Sequence, residues 1–287
     1  MKWRVELSDD EVGAALEFLE VERAAPSRQF LTRLQRAYKV RVPWETASRV
    51  VRASEVRELE ERPRRPPEFW ALAMEQGSGG TCFESNYAFW ALLQGLGFEV
   101  ALHVNDMPQD QLIACHSSLV VAVDGERYLT DVGMGMQLVA PVPLRASGTG
   151  SAGGPEFRND VRRVASNRWR LEIDGTPERL RLAAGLVYEF VDRAWSVEAY
   201  DAHVVRDYGA EGLFLDAVRV TRTSEDGSVV RLSPPDVLVR FDGERWSEEA
   251  LGISGDLPSR VAELVGLPEE LVERAFEVLD GVERSES

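Results

Sequence analysis

Residues Gly77-Ser78-Gly79-Gly80-Thr81-Cys82-Phe83-Glu84-Ser85-Asn86 read GSGGTCFESN, and they set one of only two cysteines behind a glycine run at the head of an apolar stretch. Thr81-x-x-Glu84 has the form of a capping box, which predicts a helix with Thr81 at the N-cap and Cys82 at the first helical position. Phe83, Ala88, Phe89, Leu92 and Leu93 continue that helix to Gly95 or Gly97. A thiol so placed feels the positive end of the helix dipole, which favours thiolate. Gly79 and Gly80 are expected to clear its approach. Taken alone, the stretch is equally consistent with a buried, inert cysteine packing a helix contact.

A cysteine nucleophile needs a base within hydrogen-bond reach, and the base needs an acceptor to orient it. The histidines are His103, His116 and His203. His116 lies in the β-branched run CHSSLVVAV, which meets ERYLTDV through Asp124-Gly125, a two-residue hairpin signal. Such a turn pairs Val123 with Glu126, so His116 falls opposite Gly133 and Asp131 opposite Ser118. His116 and Asp131 are then diagonal neighbours on one face, with Cβ atoms roughly 7–8 Å apart. The turn thus sets the register of a His–Asp pair, and with Cys82 it completes a Cys–His–Asp set. Cys115 and His116 are consecutive on a strand and point to opposite faces, so they do not share a metal, and no CxxC or HxxxH spacing occurs. His103 and His203 are read as structural.

Outward from this site the chain changes character. The first 95 residues read as helical: Ser8-Asp9-Asp10-Glu11 caps one helix, Pro26-Ser27 starts a second, and a third through Phe69 and Trp70 stops at Gly77. The segment ELEERPRRPPE (58–68) is a charged connector. From Phe98 the apolar period becomes two, with further strands at RWRLEI, LVYEF, FLDAVRVTR, SVVRL and VLVRF and two short helices near 258–279. RASGTGSAGGP (145–155) reads as a flexible loop. The expected fold is α+β: a helical bundle over 1–95 carrying the nucleophile, an antiparallel β-barrel over 96–195 carrying His and Asp, and an α/β lid over 196–287.

Composition narrows the partners. A formal charge of −16 over 287 residues argues against nucleic acid or an anionic membrane. Two cysteines make no disulfide framework, and no signal or membrane-spanning run is evident, so a reducing cytoplasm is expected.

The motif resembles the arylamine N-acetyltransferases, whose pattern is an arginine and two glycines before Cys-Phe-Glu-x-Asn, a strand bearing His, then a hairpin ending in Asp-Val-Gly-aromatic-Gly. Here these read Gly79 to Asn86, His116, and Asp131-Val132-Gly133-Met134-Gly135. VPWETAS (42–48), APVPL (140–144) and FLDAVRVTRTSEDG (214–227) fall where similar family segments fall. The resemblance implies a papain-like arrangement of bundle, barrel and lid. It also implies a thioester on Cys82, an acetyl-CoA donor, no metal, and an arylamine, hydrazine or N-hydroxyarylamine acceptor served in ping-pong order. Met134, Phe83 and Phe214 are the implied substrate-binding residues. Ser78 stands where the family carries arginine, which would leave Glu45 without that partner, and Thr81 and Met134 stand where aromatics are usual. Two other activities stay open on the same residues: an amide synthase using a carrier-bound or longer acyl donor, and a cysteine hydrolase.

Overall fold

The computed structural model describes residues 3–134, 140–153, 158–174, 187–210, 212–234, 236–242, 244–252 and 256–286. It is an α+β molecule in which helices α1 (Asp9–Phe18), α2 (Arg28–Arg41), α3 (Ala47–Glu55), α4 (Pro66–Gln76) and α5 (Cys82–Gly95) precede most of the strands. The helix ends follow their local chemistry. Ser8 and Glu11 form the reciprocal capping box of α1, Ser27 caps α2, and Gly77 closes α4 in the left-handed conformation at φ 65°. Helix α5 is buried along every residue from Cys82 to Leu93, as its nearly uninterrupted apolar content requires. Tyr38 of α2 packs edge-on to Trp70 of α4 (5.6 Å between centroids) and Phe89 of α5 (5.3 Å), which ties the three helices together.

The larger sheet has eight antiparallel strands. They are β2 (Glu99–Met107), β3 (Leu112–Val123), β4 (Glu126–Thr130), β5 (Val142–Pro143), β6 (Thr149–Gly153), β7 (Arg158–Ala165), β8 (Arg168–Asp174) and β9 (Val187–Val191). Their order is β5-β4-β3-β2-β9-β8-β7-β6, and the backbone of Gly150 in β6 lies against the Pro143 carbonyl of β5, so the sheet curls to a nearly closed barrel. Its interior holds Val120, Leu129, Val161, Trp169, Leu171 and Phe190. The segment expected as a flexible loop over 145–155 is in part strand β6, because Thr149 to Gly153 find ladder partners in Arg162 to Arg158; Gly154 and Pro155 lie outside the described residues.

A second antiparallel sheet takes its first strand from the N-terminal half. β1 (Trp44–Glu45) pairs with β10 (Val220–Thr223), followed by β11 (Val229–Ser233), β12 (Val237–Phe241) and β13 (Trp246–Ala250). This sheet buries its apolar face on α3, α7 (Leu257–Val265) and α8 (Glu269–Glu286). Helix α6 (Val197–Asp207), capped by Ser196, follows β9 and precedes β10 in the chain. FLDAVRVTR is strand only from Val220 onward; Phe214 takes φ 64°, which breaks extended structure before it. No helix among the described residues is long and apolar enough to cross a membrane.

Candidate active site

Strands β3 and β4 pair with Val123 opposite Glu126 and Leu119 opposite Thr130, the register that a two-residue turn dictates. Asp124 and Gly125 both have positive φ, 54° and 74°, as a type I′ turn requires. The consequence lies at the far end of the hairpin, where His116 Nε2 is 2.7 Å from Asp131 Oδ2. A carboxylate only accepts, so Nε2 carries the hydrogen and Nδ1 is left as the basic nitrogen.

Asp131 is fully buried, yet four groups donate to it. Besides His116, Oδ1 accepts from Asn86 Nδ2 (3.0 Å) and the Gly133 N–H (2.8 Å), and Oδ2 accepts from Tyr188 Oη (3.1 Å). Burial alone would raise its pKa, but His116, Asn86 and the nearby Lys39 charge outweigh burial and hold it below the ordinary aspartate value. Asn86 also donates to the Ser117 carbonyl (2.8 Å) and accepts from Val132 N–H (3.1 Å), so one amide of α5 stitches β3 to the loop after β4. The Tyr188 ring lies 4.9 Å from the His116 ring and fixes its plane. Sequence reasoning did not single out Asn86 or Tyr188 as site residues. The first was visible within the quoted motif; the second comes from a distant strand that only barrel closure brings near.

Cys82 sits at the first position of α5, as the pattern predicts, but the expected box does not form. Thr81 makes no side-chain cap and its hydroxyl has no hydrogen bond, while Glu84 turns away into another network. Cys82 is 4% exposed, and Sγ is 3.9 Å from the Cys115 carbonyl. Ser117 Oγ donates to the Cys82 carbonyl (2.9 Å), so residues on both sides of His116 touch Cys82. Gly133 completes the contact: a Cβ there would stand 2.4 Å from Cys82 Cα, so the loop can reach the helix only without a side chain. Burial pushes the Cys82 thiol well above its usual value, and the Asp207 and Asp131 carboxylates add to that. Desolvation thus opposes the thiolate that the helix N-terminus is expected to favour.

Gly79 has a different task from the expected one. A Cβ on it would fall 1.7 Å from the Pro43 carbonyl, so the glycine seats the chain on β1 rather than opening a path to the thiol. Glu45 is not left bare by Ser78. It accepts from Ser48 N–H (2.9 Å), Gly79 N–H (3.2 Å) and Ser48 Oγ. The nearby cation is Arg64, which the proline-rich connector delivers: its Nη2 pairs with Glu84 Oε2 at 2.6 Å, and Glu45 also favours its charge. Arg64 and Glu84 are 1% and 0% exposed, and Tyr208 Oη donates to Glu84 Oε1 (2.9 Å). The tally of carboxylates and cations behind the cysteine was not readable from spacing, because Arg64 sits in a segment that reads as a linker.

The remaining expected residues fall in three separate packings. Met134 is buried with the barrel core beside Val120 and Leu129, and its carbonyl accepts from Lys39 Nζ. Phe83 is buried, its ring 6.0 Å from Tyr200 and 5.0 Å from His203 of α6. Phe214 packs edge-on to Trp44 at 5.3 Å, and Trp44 is bridged to Gly80. Gly135, the last residue of the motif, lies outside the described residues.

The chain matches, over residues 29–231, the family model described as N-acetyltransferase. Among solved structures it resembles the arylamine N-acetyltransferase from Mycobacterium abscessus, at 23% identity, with 96% of this chain and 95% of that one covered and a TM-score of 0.74. The arylamine N-acetyltransferase from Nocardia farcinica is 22% identical over 94% of this chain and 95% of that one, with a TM-score of 0.74. One from Bacillus cereus, which has a Cys-His-Glu catalytic triad, is 18% identical over 91% and 99%, with a TM-score of 0.72. At these identities the likeness is one of fold. No curated protein sequence matches the chain.

Proposed function

The chain belongs to the N-acetyltransferase family, and from that premise we propose that it moves an acetyl group from acetyl-CoA, through a thioester on Cys82, to an arylamine, hydrazine or N-hydroxyarylamine. The observation that carries the reading is the His116–Asp131 hydrogen bond of 2.7 Å, made beside the residues that touch Cys82. His116 Nδ1 takes the thiol proton as Sγ attacks the thioester carbonyl, and the same proton goes to the departing CoA thiolate. The acceptor amine then attacks the acyl-cysteine, gives its proton to His116, and Cys82 leaves protonated. Asp131 holds the ring in the required tautomer and offsets the charge it gains.

Because burial keeps the resting Cys82 protonated, the proton leaves as the carbon–sulfur bond forms, with His116 as general base. We assign acceptor binding to Met134, Phe83 and Phe214. Acyl-CoA and the amine are small-molecule partners, and the free thiols of Cys82 and Cys115 suit a reducing cytoplasm.

The test is intact-mass analysis after mixing with acetyl-CoA. An acetyl adduct on the wild type, absent from Cys82→Ala and discharged by an arylamine, is the expected result. Labelling only by a longer acyl thioester would move the assignment to an amide synthase, and no labelling by any thioester would remove acyl transfer.

A further inference from the structure

Ala114 has φ 51°, in the left-handed region that residues other than Gly, Asn and Asp rarely enter. It lies two residues before His116, inside an irregularity of the β2–β3 ladder. Asn105 pairs with His116 and the next pair is Met107 with Leu112, so Ile113, Ala114 and Cys115 oppose Asp106 alone. Such a bulge re-aims the strand that follows it.

Both ends of Ala114 are held by side chains. Its N–H donates to Asp106 Oδ1 at 2.9 Å, and its carbonyl accepts from His203 Nε2 at 2.8 Å. A carbonyl only accepts, so His203 carries its hydrogen on Nε2. The His203 ring is itself confined, 5.0 Å from Phe83 and 5.6 Å from Trp195, with the Asp207 carboxylate one turn further along α6. Asp106 is steadied by Arg168 at 3.5 Å. Beyond the clamp the backbone delivers the Cys115 carbonyl to Cys82 Sγ and the His116 ring to Asp131.

We infer that His203 and Asp106 are positioning residues for His116: together they hold Ala114 in a left-handed turn that sets how β3 enters the site. Neither touches the reacting atoms in this arrangement; they act through the Ala114 backbone. The sequence pattern made His203 merely structural, and the structure gives that role a direction, from α6 to the base. The inference rests on His116 acting on Cys82, as proposed above.

The test is the rate at which iodoacetamide alkylates Cys82, followed on the Cys82 peptide so that Cys115 does not interfere, alongside thermal unfolding. Misplacing a catalytic group costs a large factor in rate, so His203→Leu is expected to slow Cys82 by about tenfold or more. His203→Gln, whose amide can still donate to Ala114, keeps most of the rate. Ala114→Gly in the His203→Leu background recovers part of it, since glycine adopts the turn unaided. Asp106→Ala, at a partly exposed position, also slows Cys82, whereas Asp106→Asn keeps an acceptor and does not. Wild-type rates in His203→Leu and Asp106→Ala, or equal losses in the Leu and Gln variants, overturn the inference. His116→Ala separates the two levels: if it too leaves the rate unchanged, the proposed base has failed, and if it alone is slow, only the clamp has.

Discussion

His116 Nε2 and Asp131 Oδ2 are 2.7 Å apart, at the one carboxylate on which Asn86, Gly133 and Tyr188 also converge. Asp131→Asn keeps the shape but places an amide where the ring needs an acceptor and removes the charge that offsets an imidazolium. The expected loss is on the order of 10²- to 10⁴-fold in Cys82 acylation. Asp131→Glu keeps the charge on a longer stem and should fall between the two. Rapid-quench acylation rates, with unfolding midpoints as control, decide it; an Asn variant near the wild-type rate would take Asp131 out of the mechanism.

Cys82 offers a pH test of whether burial or the helix dipole prevails. With its pKa well above the ordinary 9.0 through burial and the Asp207 and Asp131 carboxylates, the substrate-free thiol should react ever faster as pH rises past that value. A preformed thiolate would instead give a rate that is flat from neutral pH upward. The unfolded chain loses this proton first, so above pH 9.0 the group subtracts from stability as pH rises. Alkylation profiles from pH 6 to 10, run at about half-unit steps, distinguish the cases.

Arg64 and Glu84 form a buried pair against α5, where Arg64 also donates its own N–H to Glu84 Oε1 at 2.8 Å. Burial would raise the Glu84 pKa, but Arg64 outweighs it and keeps the carboxylate ionised. Removing one partner strands the other, so Arg64→Met or Glu84→Gln should each cost about 3–5 kcal/mol. The double variant Arg64→Met/Glu84→Gln should cost less than the sum of the two, which a double-mutant cycle in urea measures. Additive losses would mean that the ion pair is not the coupling between the connector and α5.

What was legible in the sequence was whatever short-range rules fix. The Asp124-Gly125 turn set a ladder parity, and parity carried His116 to Asp131 across 15 residues of chain. Ser8, Ser27 and Gly77 announced their helix ends because each cap is a local bond. What was not legible depends on long-range closure. Tyr188 reaches Asp131 only because β9 joins β2, and Arg64 reaches Glu84 only because the connector folds under α5. Thr81 and Glu84 satisfied the capping pattern, yet Glu84 found a full charge in Arg64, a stronger partner than a backbone N–H. Strand β1 is too short to carry a period, and it exists because β10 offers an edge.

Lys39 couples stability to pH with a sign opposite to that of a salt-bridged lysine. Its ammonium is buried beside the Met134 carbonyl, and burial lowers its pKa from 10.5 to about 8, with Asp131 pulling weakly the other way. Folding therefore disfavours the charged form. Between about pH 8 and 10.5 the unfolded chain holds a proton that the folded chain has released, so Lys39 makes the protein more stable as pH rises through that window. Below pH 8 both states are protonated and the cost of burying the charge is carried in full. Lys39→Met abolishes the proton uptake on unfolding and keeps a long apolar stem, but it also removes the donor to Met134, the residue that follows Gly133 at Cys82. Urea denaturation of wild type and Lys39→Met at pH 7, 8, 9 and 10 should show the difference between them shifting toward the wild type across the window, by an amount on the order of 1–3 kcal/mol. A pH-independent difference would place the Lys39 pKa near its ordinary value. Acylation rates of the same variant should fall at every pH, because the loop carrying Gly133 loses its tie to α2.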